Sequence, residues 1–295
     1  MKSALAAVAI ACSATGAFAA DAIQIATAAR SIRPGEVVLF TATTSLPVAA
    51  MRARAFDRDL ATFQLDANRW QSLLGIDLDT RPGTYEVSFE GLSEGRTVTT
   101  TTVIAIAPRV FGRRVLAVDD AFVNPPEAVV ARIMREAAEL EHLWTQSEPR
   151  RLWSDGFVRP VPGPANSAFG TRSVFNGQAR QPHGGADFLS PAGTSVHAPN
   201  GGRVVLAHDL YFTGNTVVID HGLGVFSLLA HLSVVNVHQG DIVARGETIG
   251  EVGATGRVTG PHLHWAVRIN GARVDPLAVL ATLGPPAIGA RATHR

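Results

Sequence analysis

The side chains best suited to chemistry are five residues in the second half of the 295-residue chain: His183, Asp187, His231, His262 and His264. They occur in the segments PHGGAD, LLAHLS and TGPHLHW. Histidine and aspartate supply nitrogen and oxygen ligands for zinc, and a catalytic zinc site uses three protein ligands and leaves one position for water. Three of the five can therefore hold a metal while the other two transfer protons beside it, as metal-assisted hydrolysis requires.

The spacing of these residues indicates how they are positioned. His262 and His264 are two apart, and alternate residues of a β-strand point to the same face, so both imidazoles should enter one site while Leu263 packs on the other side. His183 and Asp187 are separated by Gly-Gly-Ala, a small and flexible spacer that lets a loop-to-strand segment bring two ligands to one metal. The helical His-Glu-x-x-His motif does not occur in the sequence.

Three other polar residues have weaker claims to a role. His221 lies in the turn-like segment DHGLG, where a structural role is favoured over a catalytic one. Asp220 and Glu247 are carboxylates that could orient metal-binding histidines from behind.

Residues 1–20 have the features of a secretory signal peptide. Lys2 gives a positive start, residues 4–11 are apolar, and residues 17–19 offer a small-x-small cleavage site. A lipoprotein with lipidated Cys12 is the alternative. We therefore expect an exported protein of the periplasm or cell envelope that is not integral to the membrane after cleavage.

Composition argues against disulfides in the mature chain and against nucleic acid as a partner. Cys12 is the only cysteine and Lys2 the only lysine, so the mature chain has no disulfide, and its 25 arginines balance 25 acidic residues. A net charge near zero gives no basic excess for nucleic acid. Hydrophobic residues make up 46% and charged residues 17%, as in packed globular domains. We expect a monomer.

The chain after the signal peptide divides into segments with different patterns. Residues 21–107 contain alternating runs such as Thr84–Glu90, with Pro-Gly turns between them, and predict a small immunoglobulin-like β-sandwich. Trp70 is expected to pack in its core. Residues 108–164 predict a linker, with a helix over residues 124–146 and then a Pro-rich stretch.

The predicted helix has Asn124 as its N-cap and an apolar stripe that should pack on a neighbouring domain. Residues 165–283 predict a second β domain, mainly antiparallel because no helical pattern separates its strands. Residues 284–295 predict a mobile tail. Residues from about 160 to 283 contain all five candidate site residues, so we expect them to fold and to act on small peptides without the first domain.

The second domain resembles a known family over about 110 residues. The matching segments are FGTR, HGGAD, SPAGTSVHAP, GGRVV, GNTVVIDHG, LLAHLS, VHQGDIVARGETIGEVGATGRVTGPHLHWAV and VDPL. They are similar to the catalytic domain of lysostaphin-type (LytM-type, β-lytic) zinc metallopeptidases, which cut peptidoglycan cross-links. The resemblance implies the lysostaphin-like fold, with its duplicated hybrid motif, and a Zn²⁺ cofactor.

The same resemblance implies a role for each candidate residue. His183, Asp187 and His264 match the zinc ligands. His231 and His262 match the catalytic histidines that orient or deprotonate water and stabilise the oxyanion, and either could be the general base. Many relatives carry tyrosine where this chain has Leu229.

Together these features predict an exported zinc endopeptidase that hydrolyses peptide cross-links of peptidoglycan. The alternative is a non-catalytic regulator that activates another cell-wall hydrolase; such relatives typically lose zinc ligands, which are all present here. A peptidase for Gly-rich proteins is a third interpretation. The sequence leaves open whether D-Ala–diaminopimelate cross-links or glycine bridges are cut.

Overall fold

The computed structural model describes residues 23–93, 95–117, 123–166 and 169–285. The predicted signal peptide, with Cys12, lies outside these ranges, as does the predicted tail beyond residue 285. The described chain is mainly β, with two helices. Neither helix is long and apolar enough to cross a membrane.

The first eight strands form two four-stranded antiparallel sheets packed face to face, as predicted for the first domain. They are β1 (Ile23–Ala29), β2 (Val37–Thr44), β3 (Ala50–Ala55), β4 (Arg58–Asp59), β5 (Ala61–Asp66), β6 (Arg69–Gly75), β7 (Gly83–Ser93) and β8 (Arg96–Ile106). One sheet has the order β1-β2-β6-β5 and the other β4-β3-β7-β8. The alternating runs bury one side of each strand: Val87 and Phe89 of β7 lie in the core between the sheets, and Trp70 packs there as predicted.

The connection to the second domain contains strand β9 (Arg113–Leu116) and helix α1 (Glu127–Leu143). The predicted helix start was wrong. Pro126, whose fixed φ suits a helix start, occupies the cap position without a side-chain cap, and Asn124 lies before it. Of the predicted apolar stripe, Leu140 and Trp144 at the C-terminal end pack on the second domain, whereas Val130 is exposed.

The second domain is built on a ten-stranded sheet. The remaining elements are β10 (Ala165–Asn166), β11 (Arg172–Phe175), β12 (Gln178–Ala179), β13 (Gly185–Phe188), β14 (Ser195–His197), β15 (Gly202–Leu210), β16 (Gly214–Asp220), β17 (Val225–Val235), β18 (Ile242–Val243), β19 (Thr248–Val252), β20 (Leu263–Ile269), β21 (Ala272–Val274) and α2 (Pro276–Leu283). The main path runs β10-β13-β20-β17-β16-β15-β18, and β14, β19 and β21 pair beside it. Every pairing in this sheet is antiparallel, as predicted; β9 pairs parallel with β11 in a separate small sheet.

The central strand β20 separates the core of the second domain from its functional face. Leu263, Trp265 and the alternate residues that follow are buried in the core, whereas His264, Ala266 and Arg268 face the other side. Helix α1 packs on this second face, where the Trp144 ring lies edge-on to Phe226 at 5.4 Å.

The two β domains share a hydrophobic core. The outer face of the first sheet, with Val37 and Leu73, packs with Trp153, Phe157 and α2 against the second domain. A partly buried ion cluster lies at the same contact: Arg30 Nη2 is 2.6 Å from Glu36 Oε1 and 2.8 Å from Asp275 Oδ2. This shared core argues against the expectation that residues 160–283 fold alone, because that segment lacks every partner from the first domain.

Candidate metal centre

Asp187 and His264 lie opposite each other on paired strands. The antiparallel register of β13 and β20 places Asp187 against His264, and the two side chains project from the same face of the sheet. Asp187 Oδ1 is 3.0 Å from His264 Nδ1. His183 lies four residues before Asp187, in the segment that enters β13.

His183 completes a compact group of three ligand atoms. Its Nε2 is 3.1 Å from Asp187 Oδ1 and 3.0 Å from His264 Nδ1. Three atoms at mutual distances of about 3 Å have nearly the separation of ligands around one tetrahedral zinc, which bonds nitrogen and oxygen at roughly 2.0–2.2 Å. Among the described residues, this is the one group of three His, Cys, Asp or Glu side chains close enough to share an ion.

Glycine at position 185 lets strand β13 lie close to the His264 imidazole. A Cβ at residue 185 would lie 2.4 Å from the Trp265 carbonyl oxygen and 2.8 Å from His264 Cε1. Gly184, in contrast, has open space where a Cβ would be. The two glycines of HGGAD therefore have different roles, and only the second is required by packing.

His231 reaches the site through an unusual backbone conformation. Along β17, Leu229 points into the core and Ala230 to the functional face, so regular alternation would turn His231 towards the core. Instead His231 has a φ of 66°, a left-handed conformation that is uncommon for residues other than glycine. The pairing of β16 and β17 shifts its register around this position, and the His231 ring lies 4.8 Å from that of His262. Such strained residues often occur at functional sites.

Backbone carbonyls fix the tautomers of the two remaining histidines. A carbonyl oxygen only accepts, so His231 Nδ1 donates to Thr255 O at 3.0 Å and His262 Nδ1 donates to Gly260 O at 2.9 Å. In the neutral form of each ring, Nε2 is then left as an acceptor. His262 Nε2 is 3.8 Å from Asp187 Oδ1, at the edge of the three-ligand group.

The surroundings of the site shift the pKa values of Asp187, His231 and His264. Burial raises the pKa of Asp187, but hydrogen bonds from His183 and His264, with their charges, outweigh burial and hold this pKa well below its usual range. Burial, followed by the charges of His264 and His262, lowers the pKa of His231 to about 4. Burial also lowers the pKa of His264. At neutral pH Asp187 is therefore ionised and His231 is neutral, the forms that bind a cation and accept a proton.

All five sequence-predicted residues line one cleft of about 700 Å³. Its wall also includes Arg114 and Leu116 of β9, together with Phe212 and Arg257, which the sequence analysis did not identify. Strand β9 pairs with β11 beside the site, so the segment before α1 forms part of the cleft.

Three other sequence expectations have definite outcomes. Asp220 accepts hydrogen bonds from Ser147 Oγ and the backbone of Glu148 and Gly222, and Glu247 accepts from the backbone of Ala244. These partners do not belong to the metal centre. The groups that orient His231 and His262 are backbone carbonyls, which leave no signature in a sequence. His221 is fully buried at the turn after β16 and contacts Gly201 O and Ser227 Oγ.

Fold and site together define a lysostaphin-type peptidase domain. The model of peptidase family M23 matches residues 181–276, a segment that contains all five site residues. A crystal structure of a peptidase M23 from Pseudomonas aeruginosa is 32% identical, with a TM-score of 0.67, over 85% of this chain and 96% of that one. The chain belongs to peptidase family M23.

Two relatives match this chain at higher identity over a shorter length. Peptidoglycan DD-endopeptidase ShyA of Vibrio cholerae is 44% identical over 96 residues, 32% of this chain and 22% of ShyA. DD-carboxypeptidase/endopeptidase Mpg of Neisseria meningitidis is 47% identical over 97 residues, 33% of this chain and 22% of Mpg. The chain therefore matches less than a quarter of the length of either relative.

Proposed function

We propose that the protein is an exported, zinc-dependent endopeptidase that hydrolyses peptide cross-links of peptidoglycan. The observation that carries the proposal is the triangle of His183 Nε2, Asp187 Oδ1 and His264 Nδ1, with sides of 3.0–3.1 Å, in an open cleft. Membership in peptidase family M23 and the names of the two relatives support a cell-wall peptide as substrate.

The three residues of the triangle fit zinc by their chemistry as well as their spacing. Two imidazole nitrogens and one carboxylate oxygen are ligands of catalytic zinc sites, and three protein ligands leave room for a fourth. A bound zinc supplies a Lewis acid that polarises a carbonyl and makes water acidic near neutral pH. The low pKa of Asp187 keeps this ligand ionised, the form that binds a cation.

His231 and His262 supply proton transfer. With Nδ1 bonded to a backbone carbonyl, each neutral ring has Nε2 available to accept a proton from the attacking water. Once protonated, the same Nε2–H can donate to the oxyanion or to the leaving amine. The two rings lie 4.8 Å apart, so the roles of general base and oxyanion donor can be divided between them in either order.

The non-catalytic alternative has less support. A regulator needs neither a complete ligand set nor proton-transfer groups, yet this chain brings all five residues into one cleft. The left-handed backbone at His231 turns its ring towards the other four residues, and backbone strain of this kind often occurs at functional sites.

Digestion of defined muropeptides tests the proposal. Dimers joined by D-Ala–diaminopimelate cross-links and dimers joined by glycine bridges would be incubated with the protein, with and without a chelator. We expect cleavage of one dimer, its loss with chelator and its return with zinc, whereas Asp187→Ala should remain inactive when zinc is restored. Full activity in chelator, or a zinc-loaded protein that cleaves neither dimer, would contradict the proposal.

A further inference from the structure

The sheet face that carries His264 continues beyond the metal centre into a groove. Ala266 and Arg268 follow His264 on the same face of β20, because alternate residues of a strand share a face. The groove has a volume of about 650 Å³ and shares His264, Gln181 and Thr213 with the cleft of the metal centre. A peptide bound at the metal centre can therefore extend along it.

Helix α1 provides the second wall of this groove. Ala137 and Leu140 of α1, with Trp144 directly after the helix, line the groove opposite the sheet, whose Phe226 and Leu228 are largely buried beneath it. The small side chain of Ala266 leaves space between His264 and Arg268. The walls are thus largely apolar along their length, and a cationic side chain lies beyond Ala266.

Arg268 is held in place by neutral contacts. Its Nη1 donates to Gly271 O at 3.1 Å, and its guanidinium carbon lies 5.2 Å from the centroid of the Trp144 ring. The side chain is 25% exposed, so the guanidinium is partly desolvated but accessible from the groove. These contacts orient the guanidinium without neutralising it.

The charge of Arg268 has little compensation. It forms an ion pair with Glu141, whose Oε1 lies 3.7 Å from Arg268 Nη2 and whose side chain is 73% exposed. Within the part of the chain that the structure describes, no carboxylate lies within hydrogen-bonding distance of this guanidinium. Arg273, in the same groove, differs: it binds Asp77 at 2.7 Å and Asp79 at 2.9 Å. Burial lowers the pKa of Arg268, and Glu141 does not offset that effect.

Arg268 is close enough to the metal centre for one bound peptide to contact both. Four residues along a strand span about 13 Å, and an extended peptide has nearly the same rise per residue. A substrate group at Arg268 therefore lies within about four residues of a bond placed at His264.

We propose that Arg268 binds a side-branch carboxylate of the bound peptide, such as that of glutamate or diaminopimelate, and so selects acidic cross-linked peptides over oligoglycine bridges. Guanidinium and carboxylate match in a forked, charge-assisted pair. Diaminopimelate-containing stem peptides carry such carboxylates, whereas a glycine bridge has no side-chain carboxylate. The inference rests on the proposed function for the identity of the peptide, but the charge preference can be measured without turnover.

The binding experiment uses an uncross-linked stem tetrapeptide that contains glutamate and diaminopimelate. Two further versions each have one of these side-branch carboxylates converted to an amide, which identifies the carboxylate that binds. Calorimetry with the full-length protein should show about tenfold weaker binding of one amide, the size expected for one hydrogen bond to a charged group. Arg268→Gln should bind all three peptides equally, and Arg268→Lys should keep part of the preference.

Arg203→Gln is the matched control. Arg203 is a partly exposed arginine of the same domain, 37% exposed and paired with Glu148 at 3.1 Å, and it does not line the groove. It should retain the wild-type preference, and unfolding temperatures would show that each variant is folded.

The results separate the two proposals. Charge discrimination that depends on Arg268 in a protein without peptidase activity would support the subsite and reject the enzymatic function. Cross-link cleavage without any preference for a carboxylate, or an equal loss of affinity for all three peptides in Arg268→Gln, would overturn the subsite alone.

Discussion

Asp187 and His264 are the two candidate metal ligands that the sheet itself holds in place, because they occupy directly paired positions on β13 and β20. Their Oδ1 and Nδ1 atoms are 3.0 Å apart, and the ladder hydrogen bonds around them set that distance more firmly than a loop would. His183, on the segment entering β13, is the ligand that the local backbone must position.

The first prediction tests whether zinc binding by this pair of ligands depends on Gly185. Gly185→Ala should weaken zinc binding, because its Cβ would lie 2.8 Å from His264 Cε1 and 2.4 Å from a main-chain oxygen. Outer contacts of metal ligands typically change affinity about 10–100-fold. Competition with a zinc indicator measures the change. Gly184→Ala is the control, since a Cβ there meets nothing within 4 Å; equal zinc affinity of the two variants would show that the close approach is unimportant.

The second prediction separates ligands from proton-transfer groups. His183→Ala, Asp187→Ala and His264→Ala should lose zinc and activity together. His231→Ala and His262→Ala should retain most zinc and lose about 10²–10⁴-fold in kcat, the usual contribution of general acid–base groups. Metal content and muropeptide turnover are measured on the same samples, with His238→Ala as control because that side chain is 91% exposed. A His231→Ala protein as metal-free as His264→Ala would make the assignment of roles wrong.

The sequence predicts a large part of this site for physical reasons. The period of two along a strand places His262 and His264 together, and the structure has His264 on β20 with His262 just before it. The sequence predicts strands over residues 216–219, 225–229 and 248–252, and the structure has strands over 214–220, 225–235 and 248–252. The helix start is less accurate, since Asn124 was a good cap in sequence but Pro126 set the boundary.

Two features could not be predicted because they depend on distant parts of the chain. The left-handed conformation of His231 turns an imidazole out of the core, whereas the local sequence LLAHLS predicts only a buried strand. The groove of Arg268 requires α1 to pack across β20 and β17, a contact between segments more than eighty residues apart.

The third prediction concerns acid stability. Burial lowers the pKa of His221 to about 4, against 6.5 for the unfolded side chain. The folded protein therefore keeps His221 neutral, and the unfolded chain binds the proton first as the pH falls. The contribution of His221 to the free energy of unfolding should be fully present above pH 6.5. It should be lost between pH 6.5 and 4, by roughly 3 kcal/mol in total.

Urea unfolding at a series of pH values measures this effect. In His221→Gln the amide keeps a hydrogen-bonding group but does not titrate, so the stability difference between wild type and variant should narrow as the pH falls from 7 to 4. Other histidines contribute to both proteins and cancel. A difference that is constant with pH would show that His221 titrates normally in the folded state.

The last prediction concerns the division of the chain. A protein that starts at Arg159 keeps every candidate site residue but lacks Trp153 and Phe157, which are 7% and 1% exposed and pack between the domains. Replacing one buried Phe or Trp by Ala typically costs about 3–5 kcal/mol, against a total stability of about 5–15 kcal/mol for a domain. The loss of both rings, together with the Val37 and Leu73 surface that covers α2, should leave the truncated protein unfolded or aggregated.

Circular dichroism and heat unfolding compare the truncated protein with the full-length protein and with Trp153→Ala in the full chain, which should fold with a lower unfolding midpoint. Cooperative unfolding of the truncated protein at the full-length temperature, with zinc bound, would show that the second domain is independent and that the shared core contributes little to the site.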